Sequence, residues 1–141
     1  MSDPYDLRRF VETQATVYDG ALTELRRGRK ASHWMWFIFP QIAGLGMSAM
    51  SRHYSISCLD EARAYLDHPV LGPRLIECTA AVNAVEGRTA YEIFGPPDDM
   101  KFRSCLTLFA AAAPENPVFA AALAKYFAGE ADPLTLEKLG V

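Results

Sequence analysis

The chain has 141 residues, of which 50% are hydrophobic and 22% charged, and its net charge is −3. This balance excludes a disordered, charge-rich protein, and the length fits one domain over residues 1–141. No apolar stretch of about 18 residues occurs, and no basic segment followed by an apolar one begins the chain, so we expect a cytoplasmic protein without a membrane partner.

Helical signals begin at the N-terminus. Asp3 and Pro4 combine a capping carboxylate with a proline suited to the first helical position. Apolar residues then recur at helical spacing as far as Leu25, and Gly28 predicts the end of the helix. The block 34–39 has neither strand alternation nor a helical stripe, so periodicity leaves a short buried strand and a helical turn both open.

The rest of the chain is punctuated by capping residues, glycines and prolines. These signals predict six to eight short helices, no convincing strand and no repeat. The expected fold class is all-α, a single compact irregular multihelical domain rather than a long-helix bundle. After the first helix, the expected segments are 48–54, 57–67, 73–86, a single turn at 89–94, 98–113, 117–128 and 133–139.

Charge is distributed unevenly along the chain. No carboxylate occurs between Glu24 and Asp60. Such a segment focuses positive potential, which favours a small anionic ligand. The remainder of the chain is acidic, which argues against binding to duplex nucleic acid. Residues 25–59, which we call the acid-free segment, contain five positive charges: Arg26, Arg27, Arg29, Lys30 and Arg52.

Both tryptophans lie in the acid-free segment, beside side chains that donate hydrogen bonds. These donors suit an oxyanion, and the indoles suit stacking on a base. The expected helix start at Ser48 offers backbone N–H groups to a phosphate. We therefore expect a basic, Trp-lined pocket for a small phosphorylated, nucleotide-like or ADP-ribose-like ligand. The ligand-binding candidates are Arg29, Lys30, Ser32, His33, Trp34, Trp36, Gln41, Gly44, Gly46 and Ser48.

Two other interpretations of the aromatic run remain open. In the first, the rings form the core on which the helices pack; in the second, they form an exposed aromatic patch of a protein-interaction module without catalysis. The standard glycine-rich nucleotide loops are absent from the sequence. Histidines at metal-ligand spacing are absent too, and the three cysteines are far apart, so neither a metal nor a cofactor is expected.

A second group of candidates lies in the next part of the chain. Asp99 and Glu92 could act as a general acid or base, and Lys101 could hold a phosphate. The alternative for Asp99, and for Asp98 before it, is that both carboxylates are charges at a helix N-terminus. These residues do not decide whether the protein is an enzyme, and the sequence leaves its oligomeric state open.

A set of motifs covers nearly the whole chain: segment 3–7 with Phe10, 32–41 with 44–46, 68–75, and Phe94-Gly95 with Asp98-Asp99 and Lys101. These motifs resemble those of a bacterial family of small uncharacterised helical proteins that is often labelled calpastatin. The resemblance implies a helical fold and no established activity. The label itself conflicts with the composition, because calpastatin is a long, disordered, charge-rich chain.

The C-terminal half contains a second pattern, made of Asp99, Lys101, Leu106, Phe109, Ala110, Asn116-Pro117 and Leu123. It is similar to the pattern of ADP-ribose-linked helical domains that resemble the N-glycosidase of the riboflavin pathway. Where those domains carry Lys-Phe, this chain has alanines at 111–113. The resemblance implies hydrolysis of an N-glycosidic bond in a phosphorylated ribose compound.

Overall fold

The computed structural model describes residues 3–46 and 48–140. Over these ranges its regular elements are all helices and none is a strand, which confirms the all-α prediction. The described ranges contain nine helices, one more than the upper limit of the expected six to eight, because the block 34–39 also contains a helical turn. The helices are α1 (Arg8–Arg26), α2 (Met35–Ile38), α3 (Ala49–His53), α4 (Leu59–Asp67), α5 (Leu71–Asn83), α6 (Ala90–Phe94), α7 (Asp98–Ala112), α8 (Pro117–Phe127) and α9 (Pro133–Leu139).

The first helix begins later than its capping signal indicates. The N-cap residue is Leu7 and not the predicted Asp3, although the Asp3 carboxylate accepts hydrogen bonds from the backbone N–H groups of Leu7 at 2.9 Å and Arg8 at 3.0 Å. The intervening residues form a turn in which Asp6 has a φ of 52°. Helix α1 then runs without a break to Arg26.

Helix α7 lies at the centre of the molecule and packs against α4, α6, α8 and α9. Its apolar stripe is fully buried, as the helical spacing predicts. Phe102 on this helix contacts the rings of Phe39 and Phe94, with centroid distances of 5.0 and 4.6 Å. Because α2 places Phe39 in this ring cluster, the aromatic run contributes directly to the core.

A single backbone bridge fixes the loop after α2. The N–H of Ala43 donates to the carbonyl of Ile56, and the N–H of Ile56 donates to the carbonyl of Gln41, both at 2.8 Å. Arg9 on α1 holds the same region, since its guanidinium donates to the carbonyls of His53 and Ser55 at 2.8 Å. The loop that carries α3 is therefore anchored at its base.

None of the helices in 3–46 and 48–140 combines the length and the apolar character that crossing a bilayer requires.

Candidate functional site

Two lysines share one carboxylate where α7 begins. Lys30 Nζ lies 2.9 Å from Asp98 Oδ2, and Lys101 Nζ lies 3.2 Å from Asp98 Oδ1. Lys30 is positioned from the loop after α1 by its backbone N–H, which donates to the carbonyl of Ile93 at 2.7 Å. The side chains of Lys30, Asp98 and Lys101 are 8%, 18% and 23% exposed. This Lys30–Asp98–Lys101 cluster therefore keeps one positive charge in excess in a largely buried setting.

The two indoles have different surroundings. Trp34 is 2% exposed, and its Nε1 donates to Glu24 Oε1 at 2.9 Å. Trp36 is half-buried, and Lys101 Nζ lies 4.2 Å from its ring centre. The Trp36 Nε1 is buried without a hydrogen-bond partner among the described residues. Trp34 is thus a core residue, whereas Trp36 is a wall of a cleft.

That cleft, which we call the Trp36–Lys101 cleft, has a volume of about 290 Å³. A second depression of about 210 Å³, the Asp132 hollow, adjoins it and shares Gln41, Leu45 and Lys101 with it. Five residues predicted for the site meet here from distant parts of the chain. The cleft is lined by Trp36, Gln41, Leu45, Gly46, Ser48, Ser51 and Lys101, and the Asp132 hollow also by Pro97, Met100, Ser104, Asp132 and Leu134.

The helix start at Ser48 offers a ligand less than the sequence predicts. Helix α3 has five residues, and Ser48 Oγ already accepts the backbone N–H of Ser51 at 3.1 Å. Ser51 Oγ donates to the Ser48 carbonyl at 2.9 Å. The group that can donate to a ligand at this end is therefore the hydroxyl of Ser48 rather than an array of free amides.

Other candidates lie away from the Trp36–Lys101 cleft. Arg29 and His33 are exposed, and Ser32 is bound to Glu24. Glu92 forms a capping box with Thr89 at the start of α6, accepting its backbone N–H at 2.9 Å. The structure therefore separates these four predicted residues from the cleft.

The two remaining candidates, Gly44 and Asp99, also lie outside the cleft. Gly44 has a φ of +94° and faces the side chain of Lys138. Asp99 is half-buried in the first turn of α7, and its Oδ1 is buried without a partner in the part of the chain that the structure describes. Neither residue lines the Trp36–Lys101 cleft.

A larger hollow of about 610 Å³ lies between the start of α1 and the end of α4. Two of the polar side chains that face it already have structural roles. The Asp3 carboxylate accepts the backbone N–H groups of Leu7 and Arg8, and His68 Nδ1 accepts those of Val70 at 3.1 Å and Leu71 at 3.3 Å. Its size alone therefore does not make it the better candidate, because these two groups are not available to orient a ligand.

Glu24 holds together the loop between α1 and α2. Its carboxylate accepts hydrogen bonds from Ala31 N at 2.7 Å, Ser32 N at 2.9 Å, Ser32 Oγ at 2.6 Å and the Trp34 indole. Partial burial raises the pKa of Glu24, but these donors outweigh that effect and lower the pKa to about 2. The ionised carboxylate is therefore the form that the fold requires.

We expect Glu24→Gln to destabilise the protein in a pH-dependent way. The folded-state pKa lies below the ordinary value of 4.5, so the stabilisation is complete above pH 4.5 and is lost as the pH falls through about 2. The urea midpoint of the variant should be lower than that of the wild type at pH 7, and the gap should shrink towards pH 2. A gap of constant size would contradict this prediction, and Glu115→Gln, at an exposed position, serves as the control.

Residues of the Asp132 hollow were missed by the sequence analysis. Asp132 and Pro133 form a helix start, so their pattern indicates a purely structural role. Nothing in the spacing connects Asp132 with Trp36 or Lys101. The link is made by α7, where Ser104 on the next turn after Lys101 contacts Asp132 at 3.2 Å.

A protein-family model and a solved structure both match the chain almost from end to end. The model of a family described as "Protein of unknown function (DUF1810)" matches residues 4–139. The crystal structure of the conserved hypothetical protein Rv1873 from Mycobacterium tuberculosis is similar, with a TM-score of 0.97 and 57% identity over 99% of each chain. No curated protein matches the chain.

Proposed function

The chain belongs to the DUF1810 family of proteins of unknown function, and from the geometry we propose that its Trp36–Lys101 cleft binds a small phosphorylated, nucleotide-like ligand. The observation that carries this proposal is the charge of the Lys30–Asp98–Lys101 cluster. Two ammonium groups at 2.9 and 3.2 Å share one carboxylate. A bound anion would balance the excess charge at the wall of the cleft.

The hydrogen-bonding groups of the cleft support an oxyanion as the bound group. Lys101 and the Gln41 amide can donate, as can the hydroxyl of Ser48, whereas the Ser51 hydroxyl already donates to the Ser48 carbonyl. Trp36 Nε1 is a buried donor without a partner among the described residues. Such a donor carries an unfavourable free energy of about 1–3 kcal/mol, which an acceptor on the ligand would remove.

The size of the site favours a nucleotide-like molecule over a bare ion. The cleft of about 290 Å³ is at the lower end of the range of small-molecule sites, and the adjoining hollow of about 210 Å³ extends it. Lys101 covers one face of Trp36 at 4.2 Å. The proposal therefore relies on hydrogen bonds and charge, not on stacking of a base against that face.

Hydrolysis of an N-glycosidic bond receives less support than binding. Glu92 and Asp99 do not line the cleft, and Asp98 is engaged by two lysines. The protein-interaction alternative also receives less support, because Trp34 is 2% exposed and cannot form a paired indole patch with Trp36. We accordingly limit the proposal to ligand binding.

Lys101→Met tests the proposal, because it removes the charge and keeps much of the apolar stem. A charge-assisted hydrogen bond contributes about 1.5–3 kcal/mol, so the variant should bind a phosphorylated ligand about 10- to 100-fold more weakly. Thermal-shift and calorimetric titrations with inorganic phosphate, AMP, ADP-ribose and NAD provide the measurement.

Arg63→Gln is the matched control. It also removes one positive charge, but Arg63 is 52% exposed and pairs with Asp60 outside the cleft. Its affinity for the ligand should equal that of the wild type. The proposal fails if the wild type responds to none of the anions, or if both variants bind them equally well.

A further inference from the structure

The carboxylate of Asp132 is held rigidly by one of its two oxygens. Oδ2 accepts hydrogen bonds from Thr135 N at 3.0 Å, Thr135 Oγ at 2.5 Å and Ser104 Oγ at 3.2 Å. The backbone N–H of Asp132 donates to Thr107 Oγ at 2.8 Å, which fixes the residue to α7. Within 3–46 and 48–140 no hydrogen bond reaches Oδ1. A half-buried acceptor is thus oriented and available at the wall of the Asp132 hollow.

We infer that Asp132 recognises vicinal hydroxyl groups of the ligand, so that the ligand is a phosphorylated, ribose-like polyol. This inference rests on the proposed function, because the phosphate must lie at Lys101. A carboxylate would repel that phosphate, so a different and hydrogen-donating part of the ligand faces Asp132. Lys101 and Gln41 line both depressions, which places the two parts of one ligand within reach.

The positive charge beside the Asp132 hollow favours a neutral hydrogen-bond donor on the ligand over a cationic one. A cationic group in the Asp132 hollow would lie beside Lys101 and the positive charge that it shares with Lys30. A neutral hydroxyl avoids this repulsion. One carboxylate oxygen has two lone-pair directions and can accept both protons of a vicinal diol.

The remaining wall of the hollow fits a sugar ring. Met100 and Leu134 are both 46% exposed and supply apolar surface beside the acceptor. The carbon face of a furanose can cover this surface while its hydroxyls face Asp132. A phosphate without a sugar would leave both features unused.

Asp132→Asn is the decisive variant. Asparagine caps a helix as well as aspartate does, so one side-chain oxygen can still accept the N–H of Thr135 at the start of α9. The other oxygen becomes an NH₂ group, which donates instead of accepting. Circular dichroism and the melting temperature check that the variant folds.

Isothermal titration of both proteins with AMP, 2′,3′-dideoxy-AMP and inorganic phosphate separates the possible outcomes. The wild type should bind AMP at least about 10-fold more tightly than the dideoxy analogue, since two hydrogen bonds to a charged acceptor are lost. Asp132→Asn should bind these two ligands equally, and it should bind inorganic phosphate at least as tightly as the wild type, because the repelling carboxylate is gone.

Two results would overturn the inference and leave the proposed function in place. In one, the wild type binds AMP and its dideoxy analogue equally, and Lys101→Met weakens both. In the other, Asp132→Asn keeps the preference for AMP. Absence of binding to all three probes would overturn the proposed function and this inference together.

Discussion

Phe102→Ala is expected to lower the free energy of unfolding by about 3–5 kcal/mol. Phe102 is fully buried and contacts rings from three elements. Its ring centre lies 5.0 Å from that of Phe39, 4.6 Å from that of Phe94 and 6.5 Å from that of Tyr126. Removing the ring leaves a void between α2, α6 and α8, and backbone elements held on three sides cannot close it.

Urea denaturation monitored by circular dichroism measures the effect of Phe102→Ala. The control is Met100→Ala on the same helix, where the side chain is 46% exposed and the change should stay within about 0.5 kcal/mol. If Phe102→Ala loses no more than Met100→Ala, the ring cluster does not hold these helices together.

Glu61→Ala is the second substitution with a large expected effect, about 3–5 kcal/mol of lost stability. Glu61 Oε2 pairs with Arg9 at 2.9 Å, and the two side chains are 3% and 12% exposed. Glu61 Oε1 also accepts the backbone N–H and the hydroxyl of Ser57 at 2.8 and 2.7 Å. The substitution leaves a buried guanidinium without its counter-ion and leaves the donors of Ser57 unsatisfied.

An exposed ion pair on α1, the helix that carries Arg9, provides the control for Glu61→Ala. Glu12 bonds Arg8 at 2.6 Å, and their side chains are 63% and 78% exposed. Glu12→Ala should therefore change the stability by no more than about 0.5 kcal/mol. Equal effects of the two substitutions in urea denaturation would show that burial of the Arg9–Glu61 pair is unimportant. Arg9→Met combined with Glu61→Leu should recover part of the loss, because no buried charge remains.

Local capping chemistry made much of the fold predictable. Helices α8 and α9 begin at Pro117 and Pro133, where the proline signal predicts them, and Thr89 caps α6 as its box pattern indicates. The block 34–39 could not be resolved in the same way. Four of its six side chains, those of Trp34, Met35, Ile38 and Phe39, are buried around a single helical turn, so neither a period of two nor one of 3.6 develops.

The sequence indicated several residues that line the candidate cleft, but it did not indicate which carboxylates lie beside them. Trp36, Gln41 and Lys101 do line one cleft. In the folded protein, however, carboxylates from other parts of the chain bind to the acid-free segment. Glu24 binds its backbone and indole, and Asp98 binds Lys30. Both acids come from helices outside the segment, and a one-dimensional charge pattern contains no information on such contacts.

The bridge between Ile42 and Ile56 has a consequence for the energetics of association. It ties together the two ends of the loop that carries Gly46, Ser48 and Ser51, so the chain entropy of closing this loop is lost during folding. The wall of the cleft is then already ordered before a ligand binds, so binding does not have to restrict this loop further. Even a modest number of contacts can in that case yield a useful affinity, because little of their free energy is consumed in restricting the protein.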